Sequence, residues 1–172
     1  MKSRIIYLLA VIGLLSVGCN ETDDGDHVDA ITLYEKVSGD WSLSSLKMVD
    51  EFAKANALEP HEENLSTLFN YADFKLSLSV DDKMKPTSYE VSGNVPPLFA
   101  PTGYWALSTD FQPTNSGAVM VLLYSDAAKT QLTDSLRLTS VPGSNEEMEI
   151  QLVRSSNGTP FISYVFKLTA IN

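Results

Sequence analysis

Residues 73–80 read DFKLSLSV, and this stretch decides the expected fold. Phe74, Leu76, Leu78 and Val80 fall on one side of an extended chain, and the residues between them are polar or charged. A period of two is typical of an antiparallel strand with one face on a core and the other face in water. The pattern therefore predicts a half-buried β-strand.

Seven further stretches carry similar strand patterns. They lie at residues 41–49, 87–93, 103–109, 117–124, 134–141, 147–154 and 161–170. Most of the joining segments are short and rich in turn-forming residues, so consecutive strands are expected to pair antiparallel. The predicted fold is all-β, an eight-stranded antiparallel up-and-down barrel, because closure leaves no exposed edge strand. A two-sheet β-sandwich is the alternative.

Several local features accompany the strands. The alternation slips at Ser44-Ser45, which predicts a β-bulge in the first strand. Apolar spacing at residues 31–37, followed by Gly39, predicts a short helix. Residues 50–64 are expected to form a long connection, and a second short helix is predicted at residues 65–69. The segment from Asn94 to Thr102 contains three prolines, which predict a loop at an open end of the barrel.

The N-terminal residues differ in composition from the rest of the chain. Lys2 and Arg4 precede an apolar run at residues 5–17, and Gly18 precedes Cys19. A helix needs about 20 apolar residues to span a membrane, so the shorter run predicts a cleaved export signal at residues 1–18. Cys19 is the only cysteine, which excludes an internal disulfide. The alternative is an ordinary secretory signal, in which the Cys19 thiol has no function.

Residues 14–19, LLSVGC, resemble the lipobox of bacterial lipoproteins, with Ser16 where that family most often has leucine. The resemblance implies that Cys19 is lipidated and becomes the first residue of the mature chain, and that the protein is a permanent membrane resident. Nothing after residue 19 is long and apolar enough to add a transmembrane helix.

Residues 19–29 are expected to form a lipidated, acidic tether, and residues 30–172 the β domain. The tether carries five acidic residues between positions 20 and 29, which indicates a self-repelling spacer. Its early acids Glu21, Asp23 and Asp24 also resemble the export tag of Bacteroidetes surface lipoproteins. The lipid anchor predicts a location at the outer membrane. If the acidic residues are an export tag and not only a spacer, the protein lies on the cell surface.

The charge of the chain argues against nucleic acid as a partner. Removal of residues 1–18 takes away Lys2 and Arg4 and changes the formal net charge from −10 to −12. A surface of this sign repels phosphate backbones, and no concentrated basic patch offsets it.

A search for catalytic chemistry yields no signature. The chain has only two histidines, His27 and His61, and lacks phosphate-loop and dinucleotide motifs, so we expect no metal and no cofactor. The acid pairs Asp81-Asp82 and Glu146-Glu147 could serve a carboxylate-dependent hydrolase, but they fall in predicted turns, where solvated charge is the ordinary interpretation. No catalytic residue is predicted.

A family resemblance covers most of residues 31–172. Gly39-Asp40-Trp41 resembles the Gly-x-Trp of lipocalins, and residues 103–107, GYWAL, resemble the Gly-x-Trp-x-Leu of lipocalin-like lipoproteins of Bacteroidetes. The final strand, residues 164–168, also fits those families, several of which are domains of unknown function. Unlike true lipocalins, this chain ends on a predicted strand. The resemblance implies a barrel that is either filled or holds one small ligand.

Aromatic residues are the remaining candidates for ligand binding. Trp41 and Trp105 lie on the apolar phase of their strands, as do Tyr89, Tyr164 and Phe166, and core packing is their ordinary interpretation. Phe99 and Tyr104 lie in or beside the proline-rich loop and are predicted to form an exposed rim.

Three functions remain open. The first is a non-enzymatic, membrane-anchored module that binds a small apolar or glycan ligand, or a partner protein of the envelope, through Phe99, Tyr104, Trp105 and Trp41. The second is a structural envelope protein with a filled barrel. The third is the carboxylate-dependent hydrolase.

Overall fold

A computed structural model describes residues 30–115 and 117–171. The predicted signal peptide, Cys19 and the acidic tether lie outside the described residues. The described helices are α1 at Leu33–Val37 and α2 at Glu51–Ala55, and a 3-10 turn lies at Tyr71–Asp73. The described strands are β1 at Gly39–Asp50, β2 at Glu62–Asn64, β3 at Lys75–Val80, β4 at Pro86–Ser92, β5 at Thr102–Leu107, β6 at Val119–Tyr124, β7 at Leu132–Ser140, β8 at Glu147–Ser156 and β9 at Thr159–Ala170. None of these helices is long and apolar enough to cross a membrane.

Eight of the strands close into a barrel. Each of β4 to β9 pairs antiparallel with the strand before it, β3 pairs with β1, and β9 returns to β1 with Trp41 opposite Ala170 and Asp50 opposite Ile162. The eight-stranded up-and-down barrel predicted from the alternation is confirmed, and the sandwich alternative is wrong because β1 and β9 pair along most of their length. The ninth strand, β2, is an addition paired with the end of β1.

The alternating residues fill the inside of the barrel. Leu76 and Leu78 of β3 are buried, and β8 contributes Met148, Ile150 and Leu152 in the same phase. The largest fully buried side chain is that of Trp105, whose indole N–H donates a hydrogen bond to the Ser79 carbonyl at 2.8 Å. A buried indole needs such a partner, since an unpaired N–H would lose its bond to water.

The predicted bulge in β1 is confirmed. The register against β9 shifts between Leu43 and Ser45. Before the shift Trp41 faces the core, and after it Leu46 does so, which reverses the inward parity of the strand. The bulge therefore allows both halves of this long strand to direct side chains into the barrel.

Helix α1 covers one end of the barrel, near the residues predicted for it. Thr32 and Glu35 form a capping box, and Leu33, Tyr34 and Val37 are buried. Gly39 follows with φ +119°, a conformation that favours glycine where the chain turns from the helix into β1.

Two predictions between β1 and β3 are wrong. Residues 50–64 are not one irregular connection, because Asp50 caps α2 by accepting a hydrogen bond from the Ala53 N–H at 2.8 Å. The helix predicted at residues 65–69 does not form. Ser66 instead accepts a hydrogen bond from the Leu46 N–H of β1, and Phe69 and Asn70 have positive φ, which a right-handed helix does not allow.

Candidate binding site at the mouth of the barrel

The end of the barrel opposite α1 is called the mouth here, and residues 94–101, between β4 and β5, are called the lid. The lid contains Pro96, Pro97 and Pro101, which lack an N–H and therefore cannot form a regular ladder. The prediction of a loop at an open end is confirmed. Gly93 begins the turn into the lid with φ +107°, and a Cβ there would lie 1.9 Å from the Asp73 carbonyl oxygen.

Side chains from three elements hold the lid by its carbonyl groups. The Tyr71 hydroxyl donates to the Pro96 carbonyl at 3.1 Å, and the Tyr89 hydroxyl donates to the Ala100 carbonyl at 3.0 Å. Between them, Arg154 of β8 donates to the Leu98 carbonyl. A proline-rich segment offers acceptors more readily than donors, so the three partners are all hydrogen-bond donors.

Arg154 also connects the lid to the barrel wall. Its guanidinium forms an ion pair with the Asp134 carboxylate of β7, with 2.6 Å between Nη1 and Oδ1. The Asp134 side chain is only 11% exposed, whereas that of Arg154 is 37% exposed. Charged hydrogen bonds are stronger than neutral ones, so the pair fixes the guanidinium that donates to the lid at Leu98.

Phe99 belongs to the lid, and its side chain is buried, with 6% exposed. Its ring centroid is 6.1 Å from that of Phe166 and 6.4 Å from that of Tyr89. The expectation that Phe99 forms an exposed rim is therefore wrong, because the lid folds its ring inward onto the core. Phe99 does line one of the cavities at the mouth.

An inner pocket of about 190 Å³ lies between the lid and the barrel. Its walls are mostly apolar and include Phe74, Val91, Val95, Leu98, Phe99 and Pro101. The volume is below the roughly 300 to 1,000 Å³ of typical small-molecule sites. The pocket is therefore too small to hold a whole ligand of ordinary size.

A more open outer groove of about 500 Å³ adjoins this inner pocket. Met48, Leu65, Phe69 and Tyr164 line the groove only. Tyr71, Pro96 and Leu98 line both cavities. Since the Tyr71 hydroxyl is bonded to the Pro96 carbonyl, this hydrogen bond belongs to the wall that the two cavities share.

Two tyrosine hydroxyls bring polarity into the groove. Burial raises the pKa of Tyr71, and the nearby Tyr164 raises it further, so the Tyr71 side chain is neutral near pH 7. The Tyr71 hydroxyl donates to Pro96, whereas within the described residues the Tyr164 hydroxyl makes no hydrogen bond. Tyr164 is thus the group in the groove that is available to a ligand.

The other predicted binding residues lie away from the mouth cavities. Trp41 is 3% exposed, donates its indole N–H to the Val37 carbonyl, and lies at the α1 end. Trp105 is fully buried against the Tyr34 ring, at 5.8 Å between centroids. Tyr104 is half-buried on β5, paired with Tyr124. The structure does not bring these three together with Phe99.

Sequence reasoning missed Tyr71 and Arg154, and it assigned Tyr164 to the core. Tyr164 does follow the inward phase of β9, but the strand reaches the mouth there, so the side chain is half-buried. Only the alternation in β9 could have drawn attention to it. Tyr71 and Arg154 carry no local signal, since their partners in the lid are 25 and 56 residues away along the chain.

Asp81 and Asp82 follow β3, as predicted for a turn, whereas Glu147 begins β8 and forms an ion pair with Lys167 at 3.1 Å. The Asp81 carboxylate accepts hydrogen bonds from the N–H groups of Lys83 and Lys85, which lower its pKa and hold the turn between β3 and β4. No group of three or more His, Cys, Asp or Glu side chains in that region is placed to hold a metal ion.

Comparison with protein families gives one result. The profile of a domain of unknown function, DUF5004, matches residues 17–169. The chain belongs to the DUF5004 family. No curated protein and no solved structure matches it. The lipocalin-like barrel expected from the Gly-x-Trp motifs fits the fold of this DUF5004 domain. The tryptophans of the two motifs, Trp41 and Trp105, both lie in the core.

Proposed function

We propose that this DUF5004 protein is a non-enzymatic binding module of the bacterial envelope that takes a small apolar ligand at the mouth of its barrel. The observation that carries the proposal is the pair of adjoining apolar cavities at the mouth, one of which is closed by the tethered lid. Mouths of β-barrels are common positions for ligand sites because loops there can adapt while the barrel stays rigid.

The interior of the barrel limits where a ligand can bind. Trp105, Tyr89 and Phe166 are almost fully buried in the core. A small eight-stranded barrel has room either for its own side chains or for one ligand, and here side chains occupy the centre. The proposed site is therefore the mouth, and Trp41 and Trp105 are assigned to the core rather than to ligand contact.

Binding at the mouth is tested on residues 20–172, which contain every described strand and helix of the barrel. The probe is N-phenyl-1-naphthylamine, an uncharged dye whose fluorescence rises in apolar surroundings. We expect saturable binding to the native chain. Val95→Trp fills the inner pocket and should weaken binding about tenfold or more, since it removes apolar contact area.

Val153→Trp is the matched control. Val153 lies on the outside of β8 and is 37% exposed, so the same substitution there should leave dye binding unchanged. Circular dichroism melts establish that both variants fold. Absence of saturable binding by the native chain, or an equal loss in both variants, would contradict the proposal.

The proposal also includes a lipid anchor on Cys19 in the outer membrane, supported by the lipobox-like residues 14–19. Cells producing the native chain should incorporate a labelled fatty acid into it, and cells producing Cys19→Ala should not. Normal incorporation into the variant would contradict the anchor. This test is independent of ligand binding.

A structural envelope protein is the second candidate, because the filled interior favours it. Native mass spectrometry of protein isolated from its own envelope separates the two functions. A reproducible added mass beyond the lipid anchor supports the binding module. A bare mass, together with failure of the dye to bind, supports the structural function.

A further inference from the structure

Among residues 30–115 and 117–171, no charged side chain lines the cavities of the mouth. The described residues around the inner pocket and the outer groove include no Asp, Glu, Lys, Arg or His. Arg154, whose guanidinium contacts the lid, already donates to the Asp134 carboxylate and the Leu98 carbonyl and does not line either cavity. A ligand that enters the mouth therefore meets no counter-charge.

This lining excludes ligands whose charged group enters the cavities. A carboxylate or ammonium group loses its hydration on burial, and without a partner the cost exceeds what apolar contacts return. An anion is further disfavoured by the formal net charge of −10 on the chain. Any polar group of the ligand that enters the cavities must therefore be neutral.

The outer groove still offers one hydrogen-bonding group. The hydroxyl of Tyr164 lies among Met48, Leu65 and Phe69 and has no hydrogen-bond partner in the described part of the chain. A hydroxyl both donates and accepts, so it suits a ligand alcohol, amide or ester. Pairing with Tyr164 places the polar end of the ligand in the outer groove.

The arrangement of the cavities sets the shape of the ligand. The inner pocket is mostly apolar, with Ser92 and Asn94 as polar residues of its lining, and it adjoins the groove at Tyr71, Pro96 and Leu98. The hydrogen bond between the Tyr71 hydroxyl and the Pro96 carbonyl belongs to the wall that the two cavities share. At about 190 Å³, the inner pocket has room for the apolar part of a ligand, an alkyl tail or an aromatic ring of the dye, while the rest of the ligand lies in the outer groove.

From these observations we infer that the ligand is an uncharged, elongated amphiphile, with one neutral hydrogen-bonding group at Tyr164 and an apolar tail directed to the inner pocket. Long-chain alcohols, acyl amides and monoacylglycerols share this chemistry. The inference rests on the proposed function and narrows it, because it excludes free fatty acids and charged phospholipid headgroups from the cavities.

The first test compares two probes with equal chains, decan-1-ol and decanoate at pH 8, as competitors of bound N-phenyl-1-naphthylamine. We expect decan-1-ol to displace the dye at a concentration at least about tenfold lower. If the dye binds and decanoate competes equally well, the inference is wrong and the proposed function stands. If the dye does not bind, the proposed function itself is wrong.

The second test removes the hydroxyl at the proposed contact. Tyr164→Phe should weaken decan-1-ol binding about two- to tenfold, the range expected for one hydrogen bond, with little change in dye affinity. Tyr104→Phe is the matched control, because Tyr104 is also half-buried but lines neither cavity. An unchanged affinity in Tyr164→Phe, or the same loss in both variants, would overturn the assignment of Tyr164. The comparison of the two competitors needs no variant and tests the ligand class by itself.

Discussion

The two ends of the barrel are closed in different ways. At the α1 end, a capped helix buries Leu33, Tyr34 and Val37, and the Trp41 indole donates to the helix through the Val37 carbonyl. At the mouth, an irregular lid is held by side-chain hydrogen bonds to its carbonyls and leaves two apolar cavities. A helix satisfies its own backbone and can bury apolar side chains tightly, whereas an irregular segment depends on donors supplied by other elements.

The comparison indicates that the two ends of the barrel have different roles. The α1 end contributes a helix that packs on the core, and the mouth contributes a tethered irregular lid beside apolar cavities. Parts of a protein with few buried apolar contacts open at lower free-energy cost than the core. We therefore expect loss of a buried side chain at the α1 end to change global stability, and loss of a lid hydrogen bond to change local opening and binding.

The largest effect is expected from Trp105→Ala, beside Tyr34 at the α1 end. Its side chain is fully buried, so the free energy of unfolding should fall by about 3 to 5 kcal/mol, as for other large core deletions. Urea unfolding followed by circular dichroism measures the change. An unchanged midpoint would contradict the assignment of Trp105 to the core.

The next largest effect compares two glycines with similar backbone angles. Gly39 at the α1 end has φ +119° and Gly93 at the mouth has φ +107°. Alanine costs roughly 1 to 3 kcal/mol at a left-handed position, and only at Gly93 does the new Cβ also meet backbone, at 1.9 Å from the Asp73 oxygen. Gly93→Ala should therefore lower the melting midpoint clearly more than Gly39→Ala. Equal losses would mean that Asp73 and the lid give way readily.

A smaller effect is expected from Arg154→Met, which removes the ion pair with Asp134 and the bond to the Leu98 carbonyl. Because Arg154 is 37% exposed, the stability loss should be about 1 kcal/mol or less. Amide hydrogen exchange should accelerate in residues 94–101 and stay unchanged in α1. Arg137→Met, on the exposed side of β7, is the control. Uniform acceleration in both regions would contradict local release of the lid.

The smallest effect compares two tyrosine hydroxyls at opposite ends. Tyr71→Phe removes the bond to Pro96, and Tyr34→Phe removes the acceptor of the Leu107 N–H, at 3.4 Å. Each should cost about 0.5 kcal/mol of stability, the low end of the range for a neutral hydrogen bond, because both bonds are long. Only Tyr71→Phe should change the stopped-flow association rate of N-phenyl-1-naphthylamine, by several-fold upward. If the rate changes equally in both variants, the hydrogen bond between Tyr71 and Pro96 does not control access to the inner pocket.

Much of the barrel could be predicted because its signals are local. The alternation at residues 73–80 depends only on side chains two residues apart, and so does the slip at Ser44-Ser45. The helix at residues 65–69 was predicted wrongly for the opposite reason. Ser66 bonds to Leu46, 20 residues away, and this long-range contact outweighs the local preference for a helix cap.

The candidate site was less predictable. Its location at the proline-rich segment follows from the missing N–H groups, which are a property of the sequence. Its residues do not follow, since Phe99 was expected at an exposed rim and Tyr164 in the core. Both expectations treated the mouth as the open edge of a regular barrel, whereas the lid folds inward over Phe99 and leaves Tyr164 beside the groove.

The number and phase of the barrel strands, the bulge in β1 and the helix before it could be predicted from the sequence, because each depends on neighbouring residues. The contacts of Tyr71, Tyr89 and Arg154 with the carbonyls of the lid arise only in the folded chain. Closure of the sheet brings these residues together from separate elements, and hydrogen bonds between groups far apart in sequence leave no periodic pattern from which they could be predicted.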